Sequence, residues 1–235
     1  LTYSAYNRVS YGEAQFSAGR PNILGLQSRD VIYNGVVNKK VLLPLILVIV
    51  FAISRWPGLM PQNFSAAYAV AFCAGLYLPG AMAWYVPLAL MAAMDVVIHF
   101  VFYSAFPFSW SQFAGTEIGY VGLIGIGQWL GRKKPWWTLV GGGLMGAAIF
   151  YLITNFASWL YLPYAKTLAG LIQALTGGFP GYPPTWEFFR NTLMSGGLFT
   201  GLFVGAMKVE EAAEAKEKEA EEEPEPQPEG EKAEA

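Results

Sequence analysis

The sequence predicts an all-α integral membrane protein, a bundle of six transmembrane helices, and three observations carry that prediction. Of its 235 residues, 54% are hydrophobic and only 14% charged, too apolar a mixture for a soluble domain of this size. Charge is also segregated: 12 of the 17 acidic residues lie between Glu210 and Glu234, while Val41 to Met207 hold only Asp95, Glu117 and Glu187. Finally, apolar runs follow one another at 41–53, 64–78, 81–103, 118–131, 136–162 and 188–207. A helix needs roughly 20 residues to cross about 30 Å of hydrocarbon, so the first, second and fourth runs must draw on flanking residues.

Taken in order, residues 1–38 are polar and aperiodic and are expected to be an N-terminal extension, with translation starting near Val36 or Val37. Residues 39–208 form the six-helix membrane domain. Trp56-Pro57-Gly58 and Pro61 end helix 1, Pro79-Gly80 turns helix 2 into helix 3, and Pro135 separates helices 4 and 5. Residues 209–235 are expected to be an acidic disordered tail, because EEAAEAKEKEAEEE followed by PEPQPEG can extend a helix briefly but cannot bury a core.

Orientation follows from Lys and Arg, which are retained on the cytoplasmic side of membrane helices. Lys39, Lys40, the cluster Arg132-Lys133-Lys134 and Lys208 fall on one side, against Arg55, Lys166 and Arg190 on the other. Both termini are therefore expected in the cytoplasm, with the chain in the bacterial inner membrane and the long connections 54–63, 104–117 and 161–187 outside.

On this topology the intramembrane polar residues gather at the outer side. Asp95 and His99 lie in helix 3, Asn155 and Trp159 in helix 5, and Asn63, Glu117, Glu187, Arg190 and Asn191 at helix ends. Ionisable groups in lipid face a cavity or a partner, so the concentration predicts an outward-open polar pocket. Asp95 and His99 are four apart and share a helix face, as do Asn155 and Trp159. Each has a structural alternative: an ion pair or interhelical bond for Asp95 with His99, a backbone bond for Asn155, an exposed pair for Glu187 with Arg190, and an interfacial belt for the tryptophans. Small residues form stripes at Ala67, Ala71 and Gly75, at Gly141-Gly142-Gly143 with Gly146, and at Gly197, Gly201 and Gly205. Such stripes mark helix contacts, within the bundle or between molecules.

Several function classes are disfavoured. One cysteine and one histidine make a Cys/His metal site implausible, and no dense basic patch suits nucleic acid. LVGGGLMG lacks the GxxxxGK[ST] ending of a phosphate loop, and no nucleophile elbow or HExxH occurs. Neither an enzyme nor a bound cofactor is expected.

The segments PQNFSAAYAVAFCAGLYL, MDVVIHF, YLITNFASWLYLPY and TWEFFRNTLMSGGLFTGLFVG resemble an uncharacterised family of bacterial six-helix transport proteins. That family is similar to the S components, the substrate-binding subunits of energy-coupling factor transporters. The resemblance covers about residues 41–207. It implies an S-component-like bundle that captures a vitamin-like nutrient near its outer face, and a membrane coupling subunit with cytoplasmic ATPases as partners. Asn63, Asp95, Asn155 and Asn191 match the family's motifs, whereas the alanine-spaced docking stripe falls on helix 2 instead of helix 1. The expected function is capture of a small external solute by Asn63, Asp95, His99, Asn155, Trp159, Arg190 and Asn191, with Trp159 over a flat part of it. The alternatives are a structural or assembly subunit packing through its glycine faces and a proton-coupled carrier using Asp95 and His99.

Overall fold

The computed structural model describes residues 45–222, with side chains through Glu219. The expectations for residues 1–38, for Lys39 and Lys40, and for the tail beyond Glu222 fall outside these residues. The described chain is helical and contains no strand: α1 (Leu45–Arg55), α2 (Ala67–Tyr77), α3 (Met82–Phe102), α4 (Trp110–Leu130), α5 (Trp136–Tyr161), α6 (Leu168–Leu175) and α7 (Thr185–Glu222). Three of these, α3, α5 and α7, are long and apolar enough to cross a membrane, and α1 and α2 are shorter apolar helices. That composition is the mark of a membrane protein.

The fold is organised around its shortest central element. α2 is apolar on every side, and a helix of that kind has to be enclosed. It packs against α3, α4, α5 and α7, and nine of its eleven residues are buried. Its first N–H groups would otherwise lack partners. Ser54 Oγ, itself donating to the Phe51 carbonyl, accepts from Ala66 N at 2.9 Å, and Ser65 Oγ accepts from Ala67 N at 3.1 Å. At 1.5 Å per residue α2 is about 16 Å long, against about 39 Å for α5. The irregular segment 56–66 precedes α2 and joins it to α1.

Glycine sets the spacing around α2. A Cβ at Gly75 would overlap the Ile124 carbonyl oxygen of α4, and one at Gly127 would overlap the Phe72 carbonyl oxygen of α2. α5 meets α7 in the same way, with Gly143 against Thr200 and Gly196 against Ala147. The small-residue stripes are thus engaged inside the bundle, apart from Gly141, which meets nothing within 4 Å. Phe51, Phe72, Tyr120, Leu123, Ile124, Leu139 and Val204 fill the core between them. α3 buries only Ala83, Pro87 and Met91 and leaves Val86, Val97, Phe100 and Val101 exposed, a face suited to lipid.

Two elements depart from the sequence expectation. α4 starts at Trp110, not at residue 118, because Ser109 Oγ caps it by accepting from Gln112 N at 3.4 Å and the helix runs on through polar Gln112, Thr116 and Glu117. α6 lies within the connection read as irregular, with Thr167 Oγ1 accepting from Gly170 N at 3.2 Å. Residues 209–222 continue α7 as helix. Their Ala, Glu and Lys content favours helix without any need for burial.

At the C-terminal end of α7, Lys208 Nζ donates to the Arg132 carbonyl at 3.1 Å, and Glu211 lies 3.9 Å from Arg132 and 3.8 Å from Lys208. Exposed pairs of this kind contribute at most about 1 kcal/mol. Truncation after Lys208 is therefore expected to leave insertion intact and to change stability by less than about 1 kcal/mol. Thermal unfolding in detergent checks this, and loss of folded protein would show that the acidic helix packs.

Candidate functional site

A cavity of about 500 Å³ opens at the end of the bundle where α4 and α7 begin and α5 ends. One wall is α5, through Thr154, Asn155 and Ser158; Asn63 and Gln112 enter from the 56–66 segment and from α4. Leu162, Pro163, Tyr164, Phe179, Tyr182, Pro183, Thr185 and Phe188 complete it from the connections around α6 and from the start of α7. No charged side chain belongs to this lining. Burial pushes the Tyr164 phenol above its ordinary value, so this group is neutral at physiological pH.

The α5 wall has a defined polarity. Thr154 Oγ1 donates to the Phe150 carbonyl at 3.0 Å, Asn155 Nδ2 to the Tyr151 carbonyl at 2.9 Å, and Ser158 Oγ to the Thr154 carbonyl at 3.0 Å. Each bond returns a hydrogen to the carbonyl one turn earlier, leaving acceptor lone pairs for anything in the cavity. Tyr151 anchors the far side, its hydroxyl donating to the Leu175 carbonyl at 2.6 Å and thereby holding the end of α6.

Two recesses adjoin this cavity. One, of about 470 Å³, shares Asn63 and Phe188 with it and is lined also by Arg55, Trp56, Gln62 and Tyr103. The other, of about 190 Å³, shares Gln112 and is lined by Asp95, His99, Phe108, Ser109, Phe113 and Thr116. Between the recesses Arg55 forms an ion pair with Asp95 and donates to the Tyr120 hydroxyl at 3.3 Å. Glu117 Oε1 is buried without a hydrogen-bond partner among the described residues.

The seven residues singled out from sequence divide by position. Asn63 and Asn155 line the large cavity, and Asp95 and His99 line the small recess. Asn63 has φ +60, a left-handed conformation that asparagine tolerates better than most residues, and its carbonyl accepts from the Tyr68 hydroxyl at 3.1 Å. Asp95 pairs with Arg55 of α1, while His99 stacks edge-on against Phe100 and Phe108. Trp159, Arg190 and Asn191 lie outside the cavity linings. Trp159 Nε1 donates to the Ala165 carbonyl at 2.9 Å, under the Lys166 ammonium, and the exposed Arg190 lies over the Trp186 ring. Asn191 is buried and donates to the Gln62 carbonyl at 2.9 Å, which ties α7 to the segment carrying Asn63.

Sequence reasoning missed Gln112, Thr154, Ser158, Tyr164, Tyr182 and Thr185. The spacing of Thr154, Asn155 and Ser158 was a usable signal, since positions i, i+1 and i+4 of a helix lie on adjoining faces. Gln112 was hidden because its segment was read as a loop. Among the described residues no group of three or more His, Cys, Asp or Glu side chains is placed to hold a metal ion.

No curated protein matches the chain. A family model does match, over residues 36–218, a range that contains all three cavity linings and every described helix apart from the last turn of α7. The chain belongs to that family, DUF6580, a family of unknown function.

Proposed function

We propose that this protein is a non-enzymatic membrane transport component that captures a small, vitamin-like solute from the external side. In this reading α1 to α5 and α7 are the six membrane-crossing segments, both termini are cytoplasmic, and the bilayer is the bacterial inner membrane. The observation that carries the proposal is the cavity of about 500 Å³ at the end of the bundle opposite Arg132-Lys133-Lys134, with amides, hydroxyls and aromatic rings converging on it. Its size and mixed lining are those of small-molecule sites. Asn63 and Asn155 would contact the solute, and Asp95 and His99 would act from the adjoining recess. Asn191 would hold the Asn63 segment, and Trp159 and Arg190 would shape the rim.

An S-component-like arrangement, with a membrane coupling subunit and cytoplasmic ATPases supplying energy, suits a capture protein that has no nucleotide motif of its own. Ala67, Ala71 and Gly75 of α2 are buried in the bundle, so a coupling subunit would have to dock on the exposed apolar faces of α1 and α3. The glycine stripes that motivated an assembly-subunit reading are, apart from Gly141, engaged by helices of this chain. The Asp95 carboxylate invoked for a proton-coupled carrier is held by Arg55.

The test is whether protein purified in mild detergent retains a small molecule that denaturation releases for mass spectrometry. Preparations empty across independent lysates would remove the capture reading. Orientation is tested separately in a Cys73→Ala background. Ser111→Cys and Thr176→Cys are expected to react with an impermeant thiol reagent in intact cells, and Lys133→Cys is not. The reverse labelling pattern would invert the topology.

A further inference from the structure

We infer that the solute taken by the large cavity is an uncharged ring compound that presents N–H or O–H donors to the α5 wall, an inference that rests on the solute-capture reading. Two independent features of the lining lead to it.

The first is charge. Every residue lining the cavity is neutral, and among the described residues the basic groups near it are engaged elsewhere. Arg55 is held by Asp95, Lys166 donates to the carbonyls of Trp159 and Leu162, and Arg190 lies over Trp186. An anion entering this cavity would lose its water and meet no free cation. A cation would meet no carboxylate in the lining. Burying an ion without a partner is strongly unfavourable, so the cavity discriminates against both.

The second feature is the polarity of α5. Thr154 and Ser158 each have a single hydroxyl hydrogen, and both hydrogens are committed to helix carbonyls. Asn155 has one N–H committed in the same way, which leaves its Oδ1 and its second N–H. Three acceptor oxygens thus face one free N–H on this wall, which favours a solute that brings hydrogens to it. Tyr164, Phe179, Tyr182 and Phe188 line the opposite side with aromatic rings, Tyr164 and Phe179 meeting edge to face at 5.6 Å. Those surfaces suit a flat ring. Together the two sides describe a nucleobase-like, lactam-like or urea-like heterocycle and argue against a carboxylate, a phosphate or a quaternary amine.

The experiment uses the full chain in mild detergent. Mass spectrometry of released material is expected to identify a compound neutral at pH 7 with ring or amide N–H donors. In displacement assays uracil is expected to compete at least about tenfold more strongly than orotate, which adds a carboxylate, or 1,3-dimethyluracil, which lacks N–H. The Thr154→Val/Ser158→Ala variant removes two acceptor oxygens but no helix backbone bond, and is expected to hold the retained compound about tenfold more weakly while remaining folded. A retained compound that is charged or lacks donors overturns this inference and leaves solute capture standing. So does competition by orotate or dimethyluracil equal to that of uracil, or unchanged retention by the double variant. Wild-type protein that retains nothing and shows no thermal shift with millimolar uracil overturns both readings.

Discussion

Replacing Arg55 with alanine is expected to destabilise the bundle by about 3 kcal/mol, the usual cost of removing one partner from a buried ion pair. Arg55 and Asp95 side chains are only 19% and 17% exposed, so water can do little to solvate the carboxylate left behind. The loss is compounded by the neighbours. Tyr120, fully buried, would lose the donor at 3.3 Å, and Glu117, whose Oε1 has no hydrogen-bond partner among the described residues, would lose the nearby Arg55 charge. Thermal unfolding in detergent should show the drop for Arg55→Ala and for Asp95→Ala alike. The double variant Arg55→Met/Asp95→Leu should recover much of it, because an apolar pair carries no desolvation penalty. Purely additive losses in the double variant would mean that the two side chains contribute through separate contacts and not as a pair.

Gly75→Ala is expected to cost about 3 kcal/mol, or to abolish the folded state, although alanine is the better helix former. The added methyl would overlap the Ile124 carbonyl oxygen, which belongs to the α4 backbone and cannot rotate away. Relief requires α2 and α4 to separate, which opens the core around Phe72, Leu123 and Ile124. Gly141→Ala in α5 is the matched control. A Cβ there meets nothing within 4 Å, so the substitution should be neutral or stabilise by up to about 1 kcal/mol through helix propensity. Equal melting temperatures for the two variants would show that the α2–α4 approach is not limiting.

The same contrast between local signal and packing separates what could be read from sequence. Runs 81–103 and 136–162 correspond closely to α3 (Met82–Phe102) and α5 (Trp136–Tyr161), because a long, mostly apolar segment flanked by turn-forming residues leaves little choice of boundary, even with Pro87 inside α3. The start of α4 was not legible in the same way. Gln112, Thr116 and Glu117 interrupt the hydropathy signal, and only the neighbouring recess and the Arg55 group explain polar residues at that depth. α6 escaped because eight residues are too few to establish a period against a Pro- and Gly-rich background. At the site, clustering of Asn63, Asp95, His99 and Asn155 at one end followed from alternation of helix direction alone. Their individual roles did not.

The sequence by itself determined that this chain is a helical membrane protein with an apolar body, polar groups gathered at one end and a basic cluster at the other. These are properties of segments, set by local hydropathy and the positions of Pro, Gly, Lys and Arg. The tertiary structure decided which groups meet. Asp95 pairs with Arg55 of α1, not with His99 one turn away, because side chains four apart on a helix share a face but must still compete with what packs against it. It decided that the glycine stripes join helices of the same chain, since only the packed arrangement sets α2 against α4 and α5 against α7. It also decided the polarity of the α5 wall, because donation back to a helix carbonyl is fixed by rotamer and surroundings, and composition carries no record of either.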